Sequence, residues 1–208
     1  MKGVFITFEG GEGAGKSTLI ERVYKTLSTS KYPVIKTRAP GGSPLGEKIR
    51  ALLLEKGELS VSTRSELLLF LADRAQHVDE IILPALKKGK IVLCDRFNDS
   101  TIAYQGGARG WDKKWVHKLC DFATDDLDPL LTLYLDIDPR IGFKRLKNAR
   151  KGEGKDRIES EKLFFHQKIR KAFRQIAKEE PKRFRIIDAS RSPDEVFHQA
   201  MRHIDALL

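Results

Sequence analysis

The sequence predicts an α/β protein, an open parallel sheet with helices on both faces. Two observations carry this. Short apolar runs of strand length alternate with longer stretches of helical period, and repeated strand–helix alternation implies right-handed parallel crossovers. The IVLCD run at 91–95 is apolar without polar alternation, as expected of a strand covered on both faces.

The elements follow in order. VFITF (4–8) reads as a buried strand, and the segment from Lys16 to Ser28 places Leu19, Ile20, Val23 and Leu27 on one helical face. PVIKT (33–37) is a second strand, and Leu45, Ile49, Leu52 and Leu53 mark a second helix. A longer helix starts near Ser65 and runs toward Pro84, where it should kink or end. IVLCD is the third strand. After the small and aromatic segment STIAYQGGARGW comes a helix with Trp115, Leu119 and Phe122 on one face. LLTLYLDID (130–138) is the fourth strand and FRIID (184–188) the fifth. Between them, helices flank a basic, glycine-containing loop near 150–157. The last helix carries Val196, Ala200, Ile204 and Leu207.

The chain of 208 residues suits one domain spanning 1–208, and its 40% hydrophobic content can build a core. Lys and Arg number 39 against 29 acids, a net charge of +10, so an anionic partner is expected: phosphorylated metabolites or nucleic acid. Cys94 lies inside an apolar run and reads as a small buried hydrophobe; with Cys120 it makes no CxxC, so a reducing cytoplasm is expected. No apolar run has signal-peptide or membrane-span length. The five histidines show no HExxH spacing and are read as surface or core residues.

The stretch FEGGEGAGKST (8–18) carries chemistry. Gly10, Gly11, Glu12, Gly13, Ala14, Gly15, Lys16 and Ser17 fit G-x-x-x-x-G-K-[ST], between a strand and a helix. Backbone N–H groups of such a loop close around phosphate oxygens, and the following helix points its N-terminus at the same anion. Lys16 would reach the β- and γ-phosphates of ATP, Ser17 would join a Mg²⁺ shell, and Thr18 completes the binding run. The fold expected is therefore a P-loop NTPase-like three-layer arrangement with a five-stranded parallel sheet. Asp95, closing the third strand, sits where a carboxylate would orient Mg²⁺, with Asp136 as its rival; Arg96 beside Asp95 supplies a phosphate clamp. From Lys144 to Arg157, seven of fourteen residues are Lys or Arg. That run reads as a mobile lid, about 147–158, or as a solvated helix end.

Together with TRAPGGSPLGEKIR (37–50), LFLADR (69–74), DRFNDSTIAYQGGARG (95–110), GKDRIE (154–159) and IIDASRSPDEV (186–196), these residues resemble the thymidylate kinase family over nearly the whole chain. The resemblance implies phosphorylation of dTMP by ATP, with Mg²⁺, in dTTP synthesis, and a homodimer. It implies that Phe70 stacks on thymine and Arg74 bonds a base carbonyl. Ser100, Thr101 and Gln105 line the base pocket, and Tyr104 closes against the sugar. Glu12 faces the sugar 3′-hydroxyl. Arg38, Arg50 and Arg96 hold the acceptor phosphate, Arg145 lies against adenine, and Arg150 or Arg157 acts from the lid. The segment TRAPGG departs from the family's TREPGG; Ala39 replaces the acid, and Asp156 and Glu159 are possible stand-ins. A GTPase would need [NT]KxD and DxxG, which are absent. A dUMP kinase and a nucleic-acid-binding ATPase are the remaining alternatives, and neither nucleic acid nor a membrane is expected as a partner.

Overall fold

The computed structural model describes residues 3–30, 32–55, 60–149 and 156–208. Five strands form one parallel sheet: β1 (Val4–Gly10), β2 (Val34–Arg38), β3 (Ile91–Asp95), β4 (Leu131–Asp136) and β5 (Phe184–Asp188), in the order β2-β3-β1-β4-β5. β1 lies at the centre, with Phe8 beside Asp95 and Gly10 beside Leu135. The carboxyl ends of β1 and β3 therefore emerge together, and the loops that follow them meet there. In open α/β sheets this is the edge where ligands bind.

One face of the sheet is covered by α1 (Lys16–Thr29) and α9 (Pro193–Asp205), whose Leu19, Val23 and Ile204 pack on Ile6, Leu133 and Ile187. Leu207 lies beyond the end of α9 but packs against the same core. The other face carries α3 (Thr63–His77), α6 (Lys113–Thr124) and α8 (Leu163–Glu179). Phe173 of α8 stacks on Tyr134 of β4 at 4.8 Å between ring centroids. Helix starts are chemically marked. Ser43 caps α2 (Pro44–Leu54), Ser62 caps α3, Asp112 caps α6, and Ser192 with Glu195 forms a capping box on α9.

Three local details differ from the sequence reading. The third helix does not simply stop at Pro84. It widens into a π-helical turn over Val78–Ile82 and restarts as α4 (Leu83–Lys87), so the proline, which has no N–H to donate, sits in a first turn. The small and aromatic segment is helical too: α5 (Asn98–Thr101) runs into a π-helical turn, Ile102–Ala108, packed on α8. A Cβ on Gly107 would come within 2.5 Å of the Ala172 Cβ, so glycine is what lets the two backbones approach. On α6 the buried face is Val116, Cys120 and Ala123, while Trp115 and Phe122 point outward, Phe122 88% exposed. Both faces fit a 3.6-residue period; packing against α3 and the 102–108 turn selects the smaller side chains. The remaining helix, α7 (Pro139–Ala149), leads toward the expected lid, whose residues 150–155, including Arg150, lie outside the described residues.

Candidate phosphoryl-transfer site

The β1–α1 loop follows directly from its glycines. Gly13 has φ of 69°, and a Cβ there would meet the Gly142 carbonyl oxygen at 2.1 Å, so only glycine lets the loop curl against α7. Helix α1 has no side-chain cap, and its first N–H groups stay open toward the loop. Lys16 is buried, and its ammonium donates to the Gly10 and Gly11 carbonyls at 3.1 and 3.2 Å. Burial and the nearby Arg96 charge lower its pKa. The cation is thus held over the loop by weak neutral acceptors that phosphate oxygens can replace.

At the end of β3, the Ser17 hydroxyl donates to Asp95 Oδ2 at 3.3 Å, and Asp95 Oδ1 is buried with no partner among the described residues. The rival Asp136 is satisfied elsewhere: Arg170 and Arg174 both bridge it, at 2.7 and 2.6 Å, and the Tyr134 hydroxyl donates to it. Among the described residues no three His, Cys, Asp or Glu side chains gather into a metal cluster.

Arg96 adopts φ of 70°. Its guanidinium donates to the Gly10 carbonyl at 3.0 Å, the Ser100 hydroxyl at 3.2 Å and the Glu12 carboxylate at 2.6 Å. Tyr104 donates to the same carboxylate at 2.9 Å. Burial would push the Glu12 carboxyl up, but Arg96 and Lys16 draw it down to about 2. Sequence reasoning missed what holds this arrangement. Fully buried Glu9 accepts from the Phe97 and Ser100 N–H groups and from the Ser100 hydroxyl, which clamps the segment after Arg96. Its burial and the neighbouring Asp99 raise its pKa to about 7. The available signal was an acid at the end of an otherwise apolar strand.

Two clefts open on either side of Glu12. One, of about 580 Å³, is walled by Phe70, Arg74, Arg96, Tyr104 and Gln105, with Ser100 and Thr101 at its side. Phe70 is half-buried there, although its neighbours Leu67 and Leu71 are core. Arg74 is buried and donates to the Phe97 carbonyl at 3.0 Å; its Nε–H has no partner among the described residues. Arg50 donates to the Pro40 carbonyl at the rim, and buried Ala39 contributes to the wall. Asp156 also lines this cleft, locked in a reciprocal turn with Glu159. The second cleft, about 1300 Å³, runs along Gly13–Thr18 to Arg145, whose guanidinium donates to the Ala189 and Ser190 carbonyls at 2.7 and 3.2 Å.

Two expected site residues lie apart from the first cleft's centre. Arg38 pairs with Glu47 at 2.8 Å and borders a groove leading to Ser17 and Asp95. Arg157 points to α2 and α3, donating to the Leu53 carbonyl at 2.8 Å and pairing with Glu66 at 2.7 Å. Neither partner belongs to the phosphate loop.

A family model described as thymidylate kinase matches residues 8–200. A thymidylate kinase of Protochlamydia amoebophila (strain UWE25) is 49% identical over 98% of this chain and 93% of its own length. One from Desulfovibrio desulfuricans (strain ATCC 27774 / DSM 6949 / MB) is 48% identical, covering 99% and 96%. Among solved structures, a thymidylate kinase from Ehrlichia chaffeensis superimposes with a TM-score of 0.76 at 34% identity, covering 98% of this chain and 99% of that one.

Proposed function

The chain belongs to the thymidylate kinase family, and from that premise we propose how its two clefts divide the work. The protein transfers a phosphoryl group from ATP to dTMP, giving dTDP and ADP. In our reading the Phe70–Gln105 cleft takes dTMP and the Gly13–Arg145 cleft takes ATP, within one kinase domain. The supporting observation is that the clefts share Glu12 as a wall, so two phosphate ends can meet beside Arg96.

The chain needs no nucleophile of its own, because the acceptor phosphate is already an anion. What remains is positioning and charge neutralisation. Lys16 exchanges the Gly10 and Gly11 carbonyls for phosphate oxygens. Arg96, held by the Glu9 clamp on the segment after it, turns from Glu12 toward the acceptor phosphate. Glu12, kept ionised, then faces the sugar hydroxyl together with Tyr104. Ser17 and Asp95 suit Mg²⁺: one hydroxyl and one free carboxylate oxygen, with phosphates and water completing the shell. That ion would neutralise charge developing between the β- and γ-phosphates. Arg150 and Arg157 remain the proposed lid cations, Arg157 after leaving Glu66.

We also read the protein as a cytoplasmic homodimer. No described helix is long and apolar enough to cross a membrane, and both cysteines are free and buried. The adjacent helices α2, α3 and α6 leave Leu52, Leu68 and Phe122 exposed, an apolar surface suited to a second copy.

The test is a panel of nucleoside monophosphates with MgATP, following ADP release and diphosphate formation together. dTMP should be the preferred acceptor, with one diphosphate per ADP. A preference for a purine monophosphate, or ADP release without diphosphate, would overturn the cleft assignment.

A further inference from the structure

We propose that Glu66 is a specificity-determining positioning residue: it holds Gln105 by its amide nitrogen and so turns the Gln105 carbonyl toward the base. The proposal rests on the reading of the Phe70–Gln105 cleft as the acceptor-base pocket. Its consequence is that the pocket takes a pyrimidine bearing N–H at position 3 and rejects one bearing a bare ring nitrogen there.

Gln105 lies in the 102–108 turn and is 1% exposed, yet it lines the cleft. Its Nε2 donates to Glu66 Oε1 at 3.0 Å, and no described residue donates to its Oε1. Glu66, on α3, is equally buried. It also accepts from Arg109 Nε and Nη2 at 3.0 and 3.1 Å and lies 2.7 Å from Arg157 Nη2. Burial pushes the Glu66 carboxyl up, but Arg109, Gln105 and Arg157 outweigh it and leave it below its ordinary value. An ionised carboxylate has acceptors only. The amide can therefore meet it only through its NH₂ end, since the reversed amide would set a carbonyl against a carboxylate. The Gln105 carbonyl is thereby committed to the cleft as an acceptor.

Arg74 on the same wall has donors only, and among the described residues its Nε–H is unpartnered. An acceptor and a donor lining one cleft match the N3–H and O4 edge of thymine or uracil. Cytosine presents the opposite pair, a ring-nitrogen acceptor and an amine. Its N3 would face the Gln105 carbonyl, leaving two acceptors in contact with no proton between them. Glu66 touches no substrate; it acts through Gln105. The two guanidiniums around Glu66 explain why a buried acid can do this, and they tie the amide's orientation to the residue at the lid's base.

The test is a cycle of Glu66→Gln, Gln105→Leu and the double variant, with initial rates on dTMP and dCMP under saturating MgATP. A glutamine at 66 offers both a donor and an acceptor, so Gln105 is free to reverse. The ratio of kcat/KM for dTMP over dCMP should fall by roughly tenfold or more in Glu66→Gln, the scale of one mispaired buried hydrogen bond. The KM for ATP should stay unchanged. In the Gln105→Leu background the Glu66 substitution should no longer move that ratio. If it moves the ratio as much there as in wild type, Glu66 acts through the scaffold and the proposal fails. Should Glu66→Gln not fold, with Arg109 and Arg157 stripped of their shared anion, Gln105→Leu decides alone; an unchanged dTMP over dCMP ratio overturns the proposal. A wild-type protein that does not favour dTMP over dCMP would instead overturn the pocket assignment beneath it.

Discussion

The Arg96 guanidinium stands 2.6 Å from the Glu12 carboxylate, joining the end of β3 to the phosphate loop across 84 positions of sequence. The same guanidinium holds Gly10 and Ser100, so its fork has three fixed partners. A lysine cannot reproduce that geometry. Arg96→Lys should lower kcat/KM for dTMP by roughly 10²–10³, the scale of one lost preorganised donor. Steady-state kinetics measures this, and a loss under about threefold would show that Arg96 does not clamp the acceptor.

Lys16 spends the ligand-free state on two backbone carbonyls, which suits a cation waiting for phosphate. Lys16→Ala should reduce single-turnover transfer by roughly 10³-fold while dTMP affinity, measured by calorimetry, holds. A variant retaining most of its transfer rate would rule out the cradle role.

His77 is fully buried; its Nε2 lies 2.6 Å from the Thr37 hydroxyl and its Nδ1 has no partner among the described residues. Burial and the Arg74 charge lower its pKa to about 3. The folded value lies below the unfolded one, so the stability that depends on neutral His77 is complete above about pH 6.5 and is lost as pH falls toward 3. The full effect is on the order of 5 kcal/mol. Asp73, Glu9 and Glu12 titrate over overlapping ranges, so the quantity to measure is the difference in unfolding free energy between wild type and His77→Gln across pH. It should shrink on acidification; a difference independent of pH would mean that folding leaves the His77 pKa unshifted.

Phe173 is fully buried, stacked on Tyr134 and edge-on to Tyr104. Phe173→Ala should cost about 3–5 kcal/mol of unfolding free energy in urea, the usual range for an aromatic truncated in a core. A loss below about 1 kcal/mol would mean the α8–sheet interface collapses around the gap.

Phe122 is 88% exposed on α6, an unusual place for a bare phenyl ring. Phe122→Asp should convert a homodimer to monomers in sedimentation velocity while leaving the helix content unchanged. If wild type already sediments as a monomer, or the variant stays dimeric, this face is not the dimer contact.

Contiguous stretches were legible from sequence because they encode local conformation. The glycines of FEGGEGAGKST dictate a tight strand-to-helix turn wherever the chain places it, and apolar runs between helical segments announced the parallel sheet. Pairings between distant residues were not legible. Asp95 and Asp136 both close apolar strands, and only packing shows one facing Ser17 and the other enclosed by two arginines of α8. Trp115 and Phe122 had as good a helical period as Val116 and Cys120, and neighbouring helices chose between them. Glu9 and Glu66 became meaningful only when residues 43 to 91 positions away arrived as their partners. A local motif carries its own backbone geometry. The partner of a buried charge is decided by which strands and helices lie side by side, and that depends on the free energy of the whole packed core.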